Sequence, residues 1–190
     1  KRVWHIERVP LTESQIERAV DLITTSAKPL IVCGGGVRYS ESGVELLRFA
    51  EDFNIPISET QAGKSCIRWD HPLNLGGVGV TGGKAANVIA KDADLIIGVG
   101  TRFSDFTTCS KWGFRNPKVK ILSINICAFD AIKMDALPVI GDAKSSLHEI
   151  RKALKKRKYT TKYKDEITNA KQDWESMVDD FYSAEVIGNY

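Results

Sequence analysis

The sequence predicts a doubly wound α/β domain built on a parallel sheet and followed by an amphipathic C-terminal helix. Two apolar runs without alternation, at residues 30–33 and 94–100, are typical of strands buried on both faces. The segments between the strand-like runs have helical spacing, and crossovers of this length join parallel strands. Three glycines follow the first run directly, so they mark the strand edge at which doubly wound sheets bind ligands.

The size and composition of the chain fit one globular domain with a substantial core. Its 190 residues are 43% hydrophobic and 27% charged, and the net charge of +3 is too small to indicate a nucleic-acid partner. No apolar run approaches the roughly 20 residues of a membrane span, and the first residues lack the apolar core of a signal peptide. We therefore expect a cytoplasmic protein with no membrane partner.

The cysteines and histidines do not form a recognisable catalytic or metal-binding set. The four cysteines are far apart, so we expect reduced thiols rather than disulfides or a zinc site. Cys33 and Cys127 stand in or beside buried strands and are expected to act as small hydrophobic residues, whereas Cys66 and Cys109 fall in loops near the ligand edge. Since the sequence places no histidine beside either loop thiol, we expect no catalytic residue and no metal ligand in this chain.

The first part of the chain predicts a helix, a strand, a helix and a strand in turn. Thr12 and Gln15 have the spacing of a capping box and begin a helix expected at about 12–27. Pro29 then blocks helix continuation, and Ser40 is the expected N-cap of the next helix. That helix is expected to bury Val44, Leu47, Ala50 and Phe53 and to be followed by a short strand at 54–60.

The second part begins with a long glycine-containing loop and then resumes the alternation. Residues 61–83 have no clear period, so we expect an ordered loop that carries one irregular strand or helical turn. The remaining predicted elements are a helix at 84–91, strands at 94–100, 119–125 and 137–141, and a closing helix that begins at the N-cap Asp142 and ends near 158.

The tail, residues 159–190, is predicted to form a long amphipathic helix beyond a domain that spans 1–158. Because no further strand remains to cover its apolar stripe, the helix either folds back on the domain or docks on a partner or a further C-terminal domain, and docking is favoured. The stripe consists of Tyr163, Ile167, Ala170, Trp174, Met177, Val178 and Phe181.

Two glycine patterns raise the possibility of a nucleotide site. A dinucleotide-binding turn has G-x-G-x-x-G between a strand and a helix. The glycines at 34–36 follow a suitable strand, but Tyr39 stands where the third glycine belongs. The full spacing occurs at 77–82, but it follows no convincing strand. The sequence therefore favours a modified nucleotide site, or none, over a standard NAD site.

Six blocks of sequence together resemble one family. They read KPLIVCGGG, NIPISETQAGK, LGGVGVTGGKAAN, ADLIIGVGTRFSDF, VKILSIN and VIGDAKSSL. In this order and spacing they resemble the central domain of thiamine-diphosphate-dependent enzymes of the acetolactate-synthase type, over roughly residues 12–154. The resemblance implies a six-stranded Rossmann-like sheet, of the NAD/FAD-binding type, between an N-terminal pyrimidine-binding domain and a C-terminal diphosphate-binding domain.

The resemblance implies that catalysis belongs to a longer parent enzyme. In the family the catalytic glutamate comes from the first domain and the magnesium motif from the last, so thiamine diphosphate and Mg²⁺ are expected in the parent and not on this chain. The blocks ETQAGKS, WDHPLNLGGVGVTGG and GTRFSDFTT are similar to a member that hydrolyses a carbon–carbon bond of a cyclic 1,2-diketone in inositol breakdown. The implied partners are the neighbouring domains and the other subunits of a homodimer or homotetramer. The alternatives are a free-standing FAD-, NAD- or ADP-binding module and the central domain of a carboligase like acetolactate synthase.

In acetolactate synthase the corresponding domain also binds FAD along the carboxyl edge of the sheet. This chain departs from that pattern, because the strand end at Asn125 lacks the two acids of the flavin-binding relatives and Phe106 replaces an arginine that faces the substrate. These departures weigh against FAD without excluding it. The candidate positions carried over from the resemblance, vestigial or weak as cofactor ligands, are Gly34, Gly35, Gly36, Thr60, Gln61, Gly82, Gly83, Arg102, Phe103 and Asn125.

One further pattern imitates the magnesium motif of these enzymes. Gly141 and Asp142, followed at a distance by Asn169, resemble the G-D-G…N sequence that holds Mg²⁺ and diphosphate. However, Ala143 replaces the second glycine, and Asn169 falls inside the predicted tail helix. Asp142 is therefore better interpreted as a helix cap.

Overall fold

The computed structural model describes residues 2–3 and 7–183, and these residues form one six-stranded sheet flanked by helices. Short 3₁₀ turns at Gln61–Gly63 and Lys133–Asp135 interrupt the loops. The strands are β1 (Pro29–Cys33), β2 (Ile57–Glu59), β3 (Asn74–Gly77), β4 (Leu95–Val99), β5 (Lys120–Asn125) and β6 (Leu137–Ile140). The helices are α1 (Glu13–Thr24), α2 (Gly35–Tyr39), α3 (Gly43–Phe53), α4 (Lys84–Asp92), α5 (Asp105–Thr108), α6 (Ala128–Ala131), α7 (Ala143–Lys156) and α8 (Lys164–Ser183).

The sheet is parallel throughout and has the order β3-β2-β1-β4-β5-β6. Ile31 of β1 is in register with Ile57 of β2 on one side and with Ile97 of β4 on the other. The chain runs outward to β3 and then returns to the other side of β1. The predicted doubly wound, six-stranded Rossmann-like sheet is therefore confirmed, and its switch point lies between β1 and β4.

The central strands are buried because helices cover both faces of the sheet. Every residue of β1 and of β4 is buried, which explains why their sequences are continuous apolar runs rather than alternating ones. Helix α7 packs against α1 and α3, whereas α4 packs against α8. Within the core, the rings of Phe49 and Phe53 meet edge to face with centroids 5.1 Å apart.

Two helix starts form as the sequence predicts. The Thr12 side chain accepts from the backbone N–H of Gln15, and the Gln15 side chain accepts from the Thr12 N–H, so the capping box of α1 is complete. The Asp142 carboxylate accepts from the N–H groups of Lys144 and Ser145 at the start of α7. Both caps satisfy backbone donors that a helix start leaves unpaired.

The region between β1 and α3 differs from its prediction. The glycines after β1 begin the short helix α2, and Ser40 ends α2 instead of capping the next helix. Helix α3 begins only at Gly43, and Val44, expected in the core, is exposed. The buried face of α3 is instead formed by Leu46, Phe49, Ala50 and Phe53, an i, i+3, i+4, i+7 set.

The tail helix α8 begins by folding back on the domain. Ile167 is buried, and the Trp174 ring lies against Gly83 at the start of α4. The preference for docking elsewhere is therefore wrong for this first half of α8, although the assignment of 159–190 as a linker toward a further domain stays a prediction. Residues 184–190 of the predicted tail helix lie outside the described residues.

The two outer strands of the sheet are short and irregular. Strand β3 ends in two glycines, and its pairing with β2 shifts register. Strand β6 contains Pro138, and the N–H of Asp142 just beyond it donates to the Val9 carbonyl of the leader at 2.9 Å. None of the helices in the described part of the chain combines the length and the apolar character that a membrane span needs.

Candidate functional site

A cleft of about 780 Å³ opens where β1, β2 and β4 end. Because the strand order reverses between β1 and β4, this is the crevice in which open parallel sheets hold their ligands. The cleft is lined by Gly35, Gly36, Tyr39, Thr60, Gln61, Ala62, Val78, Thr81, Gly100, Thr101, Arg102, Ser104, Phe106 and Thr107.

The floor of the cleft is a backbone-to-backbone contact between the turns that follow β1 and β4. The N–H groups of Gly34 and Gly36 donate to the carbonyls of Val99 and Gly100, each at 2.9 Å. A Cβ on Gly36 would lie 2.6 Å from the Gly100 Cα, and one on Gly34 would collide with the Gly100 carbonyl. These glycines are therefore explained by packing within the protein, and the two amides are not free to hold a phosphate.

The walls of the cleft carry hydroxyl and amide groups. The Thr60 hydroxyl accepts from the Gly63 N–H at 3.1 Å and so fixes the 3₁₀ turn beside β2. The Gln61 side chain donates to the Thr81 hydroxyl at 3.1 Å, and Arg102 is the charged residue of the lining. This surface can donate and accept hydrogen bonds, but none of the described residues that line the cleft is a carboxylate that could hold a ribose.

Among the predicted cofactor positions, Gly35, Gly36, Thr60, Gln61 and Arg102 meet in this cleft. They come from three different loops, and the parallel sheet brings those loops to one edge. That these residues bind a cofactor stays a prediction.

Phe103 is placed away from the cleft. Its backbone has φ of 47°, in the left-handed region, which turns the side chain into the core. There its ring covers Gly98 and meets the Phe114 ring edge to face, with centroids 6.5 Å apart. Phe103 is therefore a core residue and is not in position to contact a ligand in the cleft.

The other predicted positions have structural partners. Gly82 packs against the backbone of Val78, and Gly83 is the N-cap residue of α4. The Asn125 side chain donates to the Thr101 carbonyl at 2.9 Å and accepts from the Cys127 N–H at 3.0 Å. Its amide thus holds the end of β5 against the turn after β4.

Cys127 itself is exposed, so the expectation that it is a buried hydrophobic residue is wrong.

The sequence did not single out several of the residues that line the cleft. Ser104 and Thr107 follow β4 on the same loop as Arg102, and their hydroxyls lie 3.4 Å apart. The run of polar residues directly after the strong strand signal of β4 was the clue available to find them. Tyr39, Val78 and Thr81 had no comparable signal, because α2 and the fold of the 61–83 loop bring them to the cleft.

The imitation of the magnesium motif is separated in space. Asp142 follows the carboxyl end of β6, and its carboxylate accepts from Arg8 and from the Ser40 hydroxyl at 2.9 and 2.7 Å. Asn169 instead lies beside Lys28, which precedes the amino end of β1. Because all strands are parallel, the two residues lie at opposite edges of the sheet and cannot share a metal ion.

Replacing Asp142 with Ala is expected to lower the free energy of unfolding by about 2 kcal/mol, because the change removes two helix-cap bonds and the salt bridge from the Arg8 guanidinium. Asp142→Asn is the matched control, since an amide oxygen still caps α7, and it should recover about half of the loss. Urea unfolding of both variants measures the difference. Equal stability of Asp142→Ala and the unaltered chain would contradict the assigned role.

The histidines of the described part of the chain are paired with acidic residues. No group of three or more His, Cys, Asp or Glu side chains among the described residues is arranged to hold a metal ion. His71 pairs with Glu51 at 3.3 Å, and His148 lies 3.7 Å from Glu45, so both of these histidines face a carboxylate. Asp142 and Asn169, the imitation of the magnesium motif, are also apart, so the described residues show no donor set for the metal of thiamine diphosphate.

Comparison with known proteins agrees with the fold. Residues 16–150 match the model of a family described as the central domain of thiamine pyrophosphate enzymes. The chain is 58% identical over 185 residues to a 3D-(3,5/4)-trihydroxycyclohexane-1,2-dione hydrolase of Clostridium tetani, which covers 97% of this chain but 29% of the relative. A hydrolase of the same name from Clostridium perfringens is 58% identical over 92% of this chain, which spans 27% of that relative. Another from Bacillus thuringiensis is 51% identical over 99% of this chain, which spans 29% of that relative. The parallel sheet, the cleft at its switch point and the family match together show that this chain belongs to the central-domain family of thiamine pyrophosphate enzymes.

Proposed function

We propose that this chain is the non-catalytic central domain of a thiamine-diphosphate- and Mg²⁺-dependent hydrolase that cleaves a carbon–carbon bond of trihydroxycyclohexane-1,2-dione in inositol breakdown. The observation that carries the proposal is the 58% identity, across 97% of the chain, to a hydrolase named for that substrate. Since the chain spans only 29% of that relative, we place the catalytic glutamate and the magnesium motif of the parent in its other domains.

The role proposed for this chain is to position its neighbours. Its surface carries large apolar side chains: Phe129 is 71% exposed, and Ile126, Ile132, Phe106 and Trp112 are also exposed. Apolar groups of this size favour contacts with other protein surfaces. We propose that they contact the neighbouring domains, or a second subunit of a homodimer or homotetramer, in the cytosol.

The proposal is tested by comparing the parent polypeptide with this chain alone. With thiamine diphosphate and Mg²⁺, the parent should open the cyclic diketone and this chain should not. Arg102→Gln in the parent should keep kcat within about twofold, because the cleft is proposed to lie outside the reacting centre. A loss of about tenfold or more in kcat would place Arg102 in the catalytic machinery and would contradict the non-catalytic assignment.

The alternative, a free-standing nucleotide-binding module, is favoured by one observation, the cleft at the switch point of the sheet. Two observations weigh against it: the N–H groups of Gly34 and Gly36 already donate to backbone carbonyls, and position 125 is an asparagine rather than an acid. We expect FAD, NAD and ADP to change the thermal midpoint of this chain by less than about 1 °C. A rise of several degrees with one of them would favour the alternative, because a ligand that binds only the folded state stabilises it.

A further inference from the structure

Two cysteines converge on one carbonyl oxygen beside the cleft. Cys33 is the buried last residue of β1, and its Sγ lies 3.9 Å from the carbonyl oxygen of Gly63. The backbone N–H of Cys66 donates to the same oxygen at 3.1 Å. The turn after β2 therefore carries Cys66 back to the end of β1, and the Gly63 carbonyl lies between the two cysteines.

The surroundings of Cys66 favour its thiolate. The neighbouring Cys33 thiol and the Arg38 guanidinium lower the pKa of Cys66 to about 7, against opposing effects of burial and of the Glu59 carboxylate. Arg38 is itself held by a hydrogen bond to the Lys64 carbonyl at 2.9 Å. The pKa of Cys33 is raised by the neighbouring Cys66 thiol and by burial, so Cys33 stays protonated. One thiol is thus partly exposed and ionised, and its neighbour is buried and neutral.

We propose that Cys66 and Cys33 are a peroxide-sensitive thiol pair that closes to a disulfide. The Cys66 thiolate attacks one oxygen of hydrogen peroxide, the O–O bond breaks, and the departing hydroxide takes a proton to become water. This leaves a sulfenic acid on Cys66. The Cys33 sulfur then attacks the Cys66 Sγ, the S–S bond forms, and hydroxide leaves with the Cys33 proton as a second water. Two thiols are oxidised, and one peroxide is reduced to two waters.

The buried position of Cys33 decides the order of these steps. Cys33 cannot meet peroxide directly because it is buried, but it lies beside Cys66 at the shared Gly63 carbonyl and can reach the oxidised sulfur. The disulfide would join the end of β1 to the turn that carries Gln61 and Ala62 into the cleft. Cys127, which is exposed at the start of α6, is available as a control thiol.

The test treats the reduced chain at pH 7 with about a tenfold excess of hydrogen peroxide, blocks the remaining thiols, and maps disulfides by mass spectrometry. We expect a peptide pair linking Cys33 to Cys66, with Cys127 still blocked as a free thiol. The Cys33→Ala variant should stop at a sulfenic acid on Cys66 that dimedone captures, and Cys127→Ala should still form the pair. Arg38→Gln should slow the alkylation of Cys66 at pH 7 by several fold.

Two results would overturn the proposal. One is a chain in which peroxide oxidises Cys127 or Cys109 while Cys33 and Cys66 remain free. The other is alkylation of Cys66 whose rate does not rise through about pH 7 in the unaltered chain, because a thiol without its neighbours would ionise at higher pH. Both are measured on the unaltered chain, so they hold even if Cys33→Ala fails to fold.

Discussion

A chain that ends at Lys158 is expected to lose about 5 kcal/mol of unfolding free energy relative to the full chain. The removed segment contains Tyr163 and Ile167, which are both buried in the main core. The Tyr163 hydroxyl donates to the Pro29 carbonyl at the start of β1, and the Thr161 N–H donates to the Phe53 carbonyl at 3.0 Å. Cutting at the boundary that the sequence predicts therefore exposes the face of α4 that α8 covers and removes the bonds to the Pro29 and Phe53 carbonyls.

A chain that ends at Glu175 is the matched control. It keeps Tyr163, Ile167 and the Trp174 contact with Gly83, and the described residues beyond it are exposed or only partly buried. Its stability should stay within about 1 kcal/mol of the full chain, measured for both by urea unfolding. If the two truncations were equally stable, α8 would be a linker along its whole length and the boundary at 158 would stand.

Gly34→Ala is expected to destabilise the chain by about 3 kcal/mol or to prevent folding. The added methyl group would collide with the Gly100 carbonyl and lie 2.6 Å from the Thr101 Cα. Both are backbone atoms at the switch point of the sheet, so no side chain can rotate to make room. The turns after β1 and β4 would have to separate and break the bond from the Gly34 N–H to the Val99 carbonyl.

Gly77→Ala is the comparison for that substitution. Its added Cβ would meet its nearest neighbour, the Gly82 Cα, at 3.7 Å, an ordinary contact distance, so we expect a change below about 1 kcal/mol. Thermal and urea unfolding of both variants give the two values. A stable Gly34→Ala variant would show that the turns can separate, and it would reopen the interpretation of these glycines as a cofactor cradle.

The fold was predictable from the sequence because its strongest signals are local. The apolar runs of β1 and β4 indicate strands with neither face exposed to solvent. The capping box at Thr12 and the cap at Asp142 each involve residues only a few positions apart. The face of α3 was not predictable from Ser40 and Val44, because the short helix α2 uses the residues after β1 and delays the start of α3 to Gly43.

The location of the candidate site was predictable from the sequence, but the full set of residues that line it was not. The parallel order of strands fixes which loop ends meet, and it brought Gly36, Gln61 and Arg102 together. Side-chain direction is a different matter: Phe103 turns inward because its own φ is positive and because Gly98 leaves space for its ring. A phenylalanine with positive φ cannot be recognised from the sequence. Its position along the chain therefore could not show that its side chain points away from the cleft while Arg102 lines it.

The short outer strands have a consequence for how subunits can associate. Strand β3 offers four residues that end in glycine, and β6 offers four that include a proline, with the Val9 carbonyl already bonded just beyond it. Neither edge presents a long row of free backbone groups on which another molecule could add a strand. Association between copies of this domain should therefore use helix faces and loops, and the sheet should end within each molecule.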